Sequence, residues 1–345
     1  MSTESNPKVG GGRRMMPAMT LAEETLAYVS LLLLCGAYQI TLIVFPALVY
    51  LSYRSSSWYS PWSLLLFWLI FSMLVPIDHK PWMWFLRSPI WRVWHKYFDY
   101  QADLSSVEGK LEASGKYLFW EAPHGIWPMG QFLSCPYIPA LTGASFEERF
   151  ISGTAANVVF YFPVVRHIMS WIGTHKASRT NFSKIFKRNN SWAAVVAGGI
   201  AEMYLGTSTR EGIYVRKRFG TVKMAIQEGA NIIPAFFFGN SRCFTVVGAE
   251  GGAGGKDVSF MGKLLQRLSR TLKASIVIFY GRHFLPVPYR QPLKMVSGRV
   301  IKVKQNDSPS DAEVQAVLNE VVAEFERLYA SDQRPAWETR PLKLH

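Results

Sequence analysis

Lys116-Tyr117-Leu118-Phe119-Trp120-Glu121-Ala122-Pro123-His124-Gly125 is an apolar run that stops abruptly at proline, histidine and glycine. Such a run, bounded by Pro and Gly, predicts a buried strand over residues 117–120 closed by a tight turn. A histidine on that turn has its imidazole held at the strand's mouth by rigid backbone, where a reacting hydroxyl can meet it. The chain has seven histidines, and the other six lack this setting. A lone histidine after a strand is more often structural than catalytic. Pro123 and Gly125 shift that balance, because they fix the turn and let another molecule approach closely.

On the C-terminal side of this run the chain alternates short apolar runs with helical patterns, which predicts an α/β domain: a mixed sheet flanked by helices. Strands are expected at residues 117–120, 156–162, 192–196, 232–238, 274–280 and 293–303. Residues 178–187 read as a helix, and 220–228 as another that ends at Gly229. A last helix is expected to start near Ser308-Pro309-Ser310, with an apolar stripe from Val314 through Leu318, Val321, Val322 and Phe325 to Tyr329. Between these, residues 248–255 are a glycine-rich loop without the Gly-Lys-Ser/Thr ending of a phosphate cradle. Residues 258–274 carry leucines on one side and Lys263, Arg267, Arg270 and Lys273 around the other. That pattern suits either a helix in a membrane interface or an ordinary surface helix.

On the N-terminal side, two stretches without charge, residues 25–53 and 55–77, each exceed the ~20 residues a helix needs to cross a bilayer. They predict an anchor over residues 24–78, after a polar, mobile segment 1–23 and before a globular domain 79–345. A buried pair of core helices is the bland alternative, but core helices rarely run so long without a charge. Lys8, Arg13 and Arg14 precede the pair and Lys80, Arg87, Arg92 and Lys96 follow it, which puts both ends on the cytosolic side. Pro46, Pro61 and Pro76 would kink or end these helices, so a hairpin re-entering one leaflet also fits. Three scattered cysteines give neither a disulfide framework nor a zinc spacing, and no other cluster has metal-ligand spacing. The net charge of +14 calls for an anionic partner. A membrane surface or a phosphate-bearing substrate fits better than nucleic acid, for which no reading motif is present.

Two further groups carry chemistry. Glu202 closes Val195-Val196-Ala197-Gly198-Gly199-Ile200-Ala201-Glu202, an apolar run opening into two glycines, and reads either as a partner for the histidine or as a solvated helix-start glutamate. Glu121 is a second acid, three residues before His124. Arg216-Lys217-Arg218, Lys223 and Arg179 sit near expected helix starts and suit phosphate groups, although basic runs are usually plain solvated surface.

Together these segments resemble the type 2 diacylglycerol acyltransferase family, which also includes monoacylglycerol and wax-alcohol acyltransferases. The likeness is collinear over roughly residues 90–345. It runs through Tyr117-Leu118-Phe119, Pro123-His124-Gly125, Pro163-Val164-Val165-Arg166-His167-Ile168 with Trp171-Ile172-Gly173, and Ala177-Ser178-Arg179-Thr180-Asn181-Phe182. It continues through Gly198-Gly199-Ile200-Ala201-Glu202, Lys223-Met224-Ala225-Ile226 before Gly229-Ala230, and Ile233-Pro234-Ala235-Phe236-Phe237-Phe238-Gly239. Gly281-Arg282, Pro286-Val287-Pro288-Tyr289-Arg290 and Gly298 complete it. The chain departs at Ala122, where the family has histidine or glutamate, and at Asp99, Ala197 and Arg218-Phe219-Gly220-Thr221. The aspartate that common membrane acyltransferases place five positions after the histidine is Met129 here.

The resemblance implies an acyltransferase-type α/β fold anchored by the N-terminal hydrophobic hairpin. It implies transfer of a fatty acyl group from acyl-CoA to diacylglycerol, giving triacylglycerol and CoA, with no cofactor beyond the acyl-CoA substrate. His124 would be the base and Glu202 its orienting acid, with Pro123, Gly125, Gly198 and Gly199 shaping the turn and oxyanion region. Arg179, Arg216, Lys217, Arg218 and Lys223 would hold the donor. The expected setting is the endoplasmic reticulum membrane, with the catalytic domain cytosolic and the lipid droplet as a second location. The expected partners are membrane lipids and a second copy of the chain, not nucleic acid. The rival readings are a monoacylglycerol, long-chain alcohol or lysophospholipid acceptor, and a non-catalytic membrane scaffold.

Overall fold

The computed structural model describes residues 16–55, 57–112, 114–136, 150–187, 191–203, 205–206, 209–247 and 278–345. The first two elements are helices, α1 (Leu21–Ser55) and α2 (Pro61–Leu74). α1 runs through Pro46 without ending, whereas Pro61 occupies the first turn of α2 behind its N-cap Ser60. Among the described residues α1 is the one helix long and apolar enough to cross a membrane. α2 has 14 residues, so it spans only about 21 Å, short of the ~30 Å bilayer core that the charge-free stretch led us to expect. Both of its ends are held: the Ser60 hydroxyl accepts from Ser63 N at 3.2 Å, and the last carbonyls receive buried donors. Arg166 donates to the carbonyls of Ser72 and Met73, and His167 Nε2 donates to Ser72 O at 2.9 Å. Basic donors at a helix C-terminus satisfy orphan carbonyls and meet the negative end of the dipole.

Helices α3 (Met83–Leu86) and α4 (Ile90–Phe98) lead into strands β1 (Gln101–Asp103) and β2 (Tyr117–Ala122). Then come α5 (Met129–Ser134), β3 (Phe150–Ala155), α6 (Pro163–Trp171), β4 (His175–Lys176), α7 (Arg179–Phe186), β5 (Ser191–Val195) and α8 (Gly199–Glu202). β6 (Glu211–Ile213), α9 (Phe219–Glu228), β7 (Asn231–Phe238), β8 (Thr245–Val246) and β9 (Phe279–Tyr280) follow. The chain closes with β10 (Lys294–Ser297), α10 (Asp311–Ala330) and β11 (Leu342–Leu344).

The main sheet has the order β1-β10-β7-β2-β5-β3-β4, with β10 antiparallel to β7 and the other neighbours parallel. β2 is central, paired with β7 on one side and β5 on the other, and all six of its residues are buried. A strand covered on both faces reads as an unbroken apolar run, which is why the opening segment was legible. Leu118, Trp120 and Ala122 face the core shared with α7, α9 and α10. Tyr117 and Phe119 point the other way, and the period of two puts Glu121 with them. Farther along that second face lies the core built with α1, α4, α5 and α6. Phe119 and Trp120, both fully buried, each contribute about 1.5–3 kcal/mol of burial energy.

The first half of α1 is part of this second core through Ala27, Leu31, Leu34 and Cys35. Its far half and α2 leave Leu42, Ile43, Tyr50, Phe67, Trp68 and Leu74 exposed, so the hairpin's apolar surface projects away from the sheet.

Two expected elements differ from what forms. Residues 156–162 make a 3-10 turn (Asn157–Tyr161), not a strand, because Pro163 starts α6 immediately afterwards and the chain must turn into it. Only Lys294–Ser297 of residues 293–303 is a strand, followed by one isolated bridge from Ile301 to Ile232. Of the strand expected at 274–280, residues 274–277 lie outside the described residues and Phe279–Tyr280 forms a strand. The glycine-rich loop 248–255 and the basic helix expected at 258–274 lie outside the described residues. The remaining helices form as their caps predict: Ser178 caps α7, Gly229 closes α9, and Ser310 with Glu313 makes a capping box on α10.

Candidate active site

The turn after β2 is fixed by three side chains from different parts of the chain. Glu202, on the short helix α8 beyond β5, is buried and accepts two backbone hydrogen bonds. His124 N–H donates to its Oε2 at 2.6 Å and Tyr214 N–H to its Oε1 at 2.7 Å. Asn240, just past β7, donates through Nδ2 to Pro123 O at 3.0 Å and His124 O at 2.8 Å, and its Oδ1 accepts from Gly130 N at 2.8 Å. Gln131 Nε2 on α5 donates to Pro123 O at 2.9 Å. Gly125 has φ +62°, and a Cβ there would come within 3.0 Å of Asn240 O, so both its conformation and its neighbour call for glycine. A Cβ at Gly198 would overlap the Glu202 carboxyl.

The His124 ring is half-buried, and its Nδ1 lies 2.8 Å from Gly125 O. A carbonyl only accepts, so the hydrogen sits on Nδ1 and the lone pair on Nε2. Burial pulls the imidazole pKa below its ordinary 6.5, which keeps it neutral and able to accept a proton. Glu202, expected on the imidazole, holds the turn's backbone instead, and the Gly125 carbonyl sets the tautomer. A sequence gives no direction for a side chain, and the sharp turn brings the amide of His124, not its ring, over the end of β5. Burial pushes the Glu202 carboxyl up to about 7, opposed by the two N–H donors.

Arg218 completes this group. Its guanidinium donates to Gly198 O and lies 4.6 Å from the centre of the Tyr214 ring. Gly199, with φ +54°, faces the same guanidinium. Arg216, Lys217, Lys223 and Arg179 are exposed. Arg216 pairs with Glu326 at 3.1 Å, and Arg179 donates to Gln227, one turn beyond Lys223 on α9. His124, Glu202, Gly198 and Arg218 therefore form one contiguous set, and the other basic residues a surface patch around α9. Among the described residues no group of His, Cys, Asp and Glu could hold a metal.

Asn240 was not legible as a site residue. Its signal is positional: Gly239-Asn240 ends β7, and β7 is the parallel neighbour of β2, so the two strand ends lie side by side. Ser241, next in the chain, donates to Glu211 Oε2 at 2.6 Å, and Glu211 and Glu338 both pair with buried Arg340 at 2.7 Å. The C-terminal segment thereby clamps the strand end that carries Asn240. Replacing Asn240 by alanine leaves His124 O and Gly130 N without their partner, while Pro123 O keeps Gln131, and at about 1 kcal/mol or more each the variant is expected to lose roughly 2 kcal/mol of stability. Thermal unfolding in detergent measures this, and a shift no larger than that of an exposed-residue control would rule the clamp out.

A family model described as diacylglycerol acyltransferase matches residues 50–335. The chain belongs to the diacylglycerol acyltransferase family. Among curated members, diacylglycerol O-acyltransferase 1 of Schizosaccharomyces pombe is 26% identical, covering 80% of this chain and 82% of its own. Diacylglycerol O-acyltransferase 1 of Saccharomyces cerevisiae is 32% identical over 62% of this chain and 51% of its own length. A solved structure, the 1-acyl-sn-glycerophosphate acyltransferase PlsC from Thermotoga maritima, aligns over 88% of this chain and 99% of that one, with a TM-score of 0.41 and 12% identity.

Proposed function

We propose that this member of the diacylglycerol acyltransferase family transfers a fatty acyl group from acyl-CoA to the free hydroxyl of diacylglycerol, releasing CoA and triacylglycerol. The observation that carries the mechanism is the His124 tautomer: Nδ1–H is committed to the Gly125 carbonyl, leaving the Nε2 lone pair for the acceptor hydroxyl. As that oxygen attacks the thioester carbonyl, Nε2 takes its proton. The tetrahedral intermediate collapses with loss of the CoA thiolate, which leaves protonated by the same imidazole. Glu202 and Asn240 keep the turn in place during both proton transfers. No cofactor is invoked.

Arg218 is the positively charged group that joins the turn network, and we assign it to the donor's phosphates, with Arg216, Lys217, Lys223 and Arg179 as the outer basic surface. Arg218→Ala is expected to raise the KM for acyl-CoA about tenfold and to leave the KM for diacylglycerol within twofold. Equal change in both would reject the assignment. The exposed apolar hairpin and the net charge of +14 support residence in the endoplasmic reticulum membrane, with the domain on the cytosolic face beside anionic headgroups. Expression in cells that lack neutral-lipid synthesis tests the reading: wild type restores triacylglycerol, and its absence despite correct membrane insertion would count against it.

A further inference from the structure

A cavity of about 100 Å³ lies between the second face of the sheet and helices α5 and α6, next to the His124 turn. Its lining is mostly apolar, with Phe132, Met169 and Ile172 among the walls, yet Glu121, Trp127 and Gln131, each more than nine-tenths buried, bring polar atoms to it that the protein leaves unpaired among the described residues. Among the described residues Trp127 Nε1 and Gln131 Oε1 have no hydrogen-bond partner. Among the described residues nothing bonds to the Glu121 carboxyl, and burial alone pushes its pKa up to about 8. Unpaired buried polar groups are costly, and three around one cavity call for a ligand that pairs with them. At neutral pH the set offers two donors, the Glu121 acid O–H and the Trp127 N–H, and one acceptor, Gln131 Oε1. Gln131 also bonds to Pro123 O, so the acceptor sits one residue from His124.

Two donors and one acceptor in an apolar wall match an ester carbonyl close to a free hydroxyl. We infer that this cavity is a subsite for an ester group of the acyl-acceptor glyceride, with Glu121 and Trp127 donating to the ester carbonyl and Gln131 guiding the neighbouring hydroxyl toward the turn. A long-chain alcohol has the hydroxyl but no ester, and would leave both donors unpaired, so Glu121 is a specificity-determining residue for glycerides. The cavity walls Trp127, Phe132, Met169 and Ile172 belong to the same core as the first half of α1, so the subsite lies on the anchor's side of the sheet. Among the described residues Cys135 is the only other titratable group lining it. Burial, and then the Glu121 charge, push its thiol up to about 12. Glu121 therefore controls the ionisation of the subsite through pH 9.

The inference rests on the proposed reaction for its choice of ligand, so the test reads binding and needs no turnover. Binding to the full chain in detergent is compared for dioctanoylglycerol and for the matching dioctyl ether, which keeps the hydroxyl and lacks both carbonyls. Wild type at pH 7 is expected to bind the diester at least tenfold more tightly. Glu121→Leu erases that preference, Trp127→Phe reduces it, and Glu121→Gln, which keeps an N–H donor, retains it. At pH 9.5 the wild-type preference falls and that of Glu121→Gln does not. Equal wild-type affinity for diester and diether, or an undiminished preference in Glu121→Leu, overturns the proposal. An unfolded Glu121→Leu leaves the pH comparison of wild type with Glu121→Gln to decide it. A fully active His124→Ala variant would refute the base assignment and leave these binding results unchanged.

Discussion

Replacement of His124 by alanine is expected to lower kcat for acyl transfer by roughly 10²- to 10⁴-fold, the usual contribution of a positioned general base. The fold should survive. The ring is half-buried and among the described residues makes one internal hydrogen bond, to Gly125 O, whereas the turn is held through backbone groups that alanine retains. The KM for diacylglycerol should change little, since the base acts on the hydroxyl in the transition state. Because burial holds the imidazole pKa below 6.5, wild-type kcat/KM should lose its activity only as pH falls below 6.5, when Nε2 becomes protonated. That acid limb disappears from the residual rate of the alanine variant. Steady-state assays across pH 5 to 8 check both points.

Glu202→Gln should produce the second-largest effect, through a different route. Both carboxylate oxygens accept backbone N–H groups, from His124 and Tyr214. A glutamine has one oxygen, so in either orientation its NH₂ faces an N–H donor and one bond becomes a clash. At the ~1–3 kcal/mol that an unsatisfied buried group costs, the turn should shift and kcat should fall about 10- to 100-fold, with a smaller change in KM. The pH dependence of stability separates this from a direct chemical role. The folded-state pKa of about 7 lies above the ordinary 4.5, so the folded protein binds the proton more tightly than the unfolded chain does. Stability from this group is therefore full below about pH 4.5 and lost as pH rises toward 7. Glu202→Gln removes that slope, and thermal unfolding at pH 5 and pH 8 reads it.

What the sequence disclosed follows from which physical signals are local. β2 and β7 are buried on both faces and read as unbroken apolar runs ending at Pro123 and Gly239. α7, α9 and α10 carry their caps in Ser178, Gly229 and Ser310. The segment 156–162 misled because a short apolar run suits a strand or a turn equally, and β3 escaped because Ser152, Gly153 and Thr154 break its pattern. α2 is shorter than its charge-free stretch because Ser60, Arg166 and His167 set its ends, two of them from far along the chain. The site was half legible. The sequence pointed to His124 and Glu202 and the fold brings them together, but the contact between them runs through the backbone. Asn240, Gln131 and the cavity at Glu121 arise from the juxtaposition of strand ends and a helix, which only the fold supplies.

The most direct test of the account is a competition assay. The purified chain is given labelled acyl-CoA with equimolar diacylglycerol, monoacylglycerol, long-chain alcohol and lysophospholipid, and products are separated alongside those of His124→Ala. We expect triacylglycerol as the main product, CoA released in equal amount, and both lost in the variant. Triacylglycerol formed by His124→Ala at the wild-type rate, or acyl transfer by wild type to every acceptor except diacylglycerol, would contradict it.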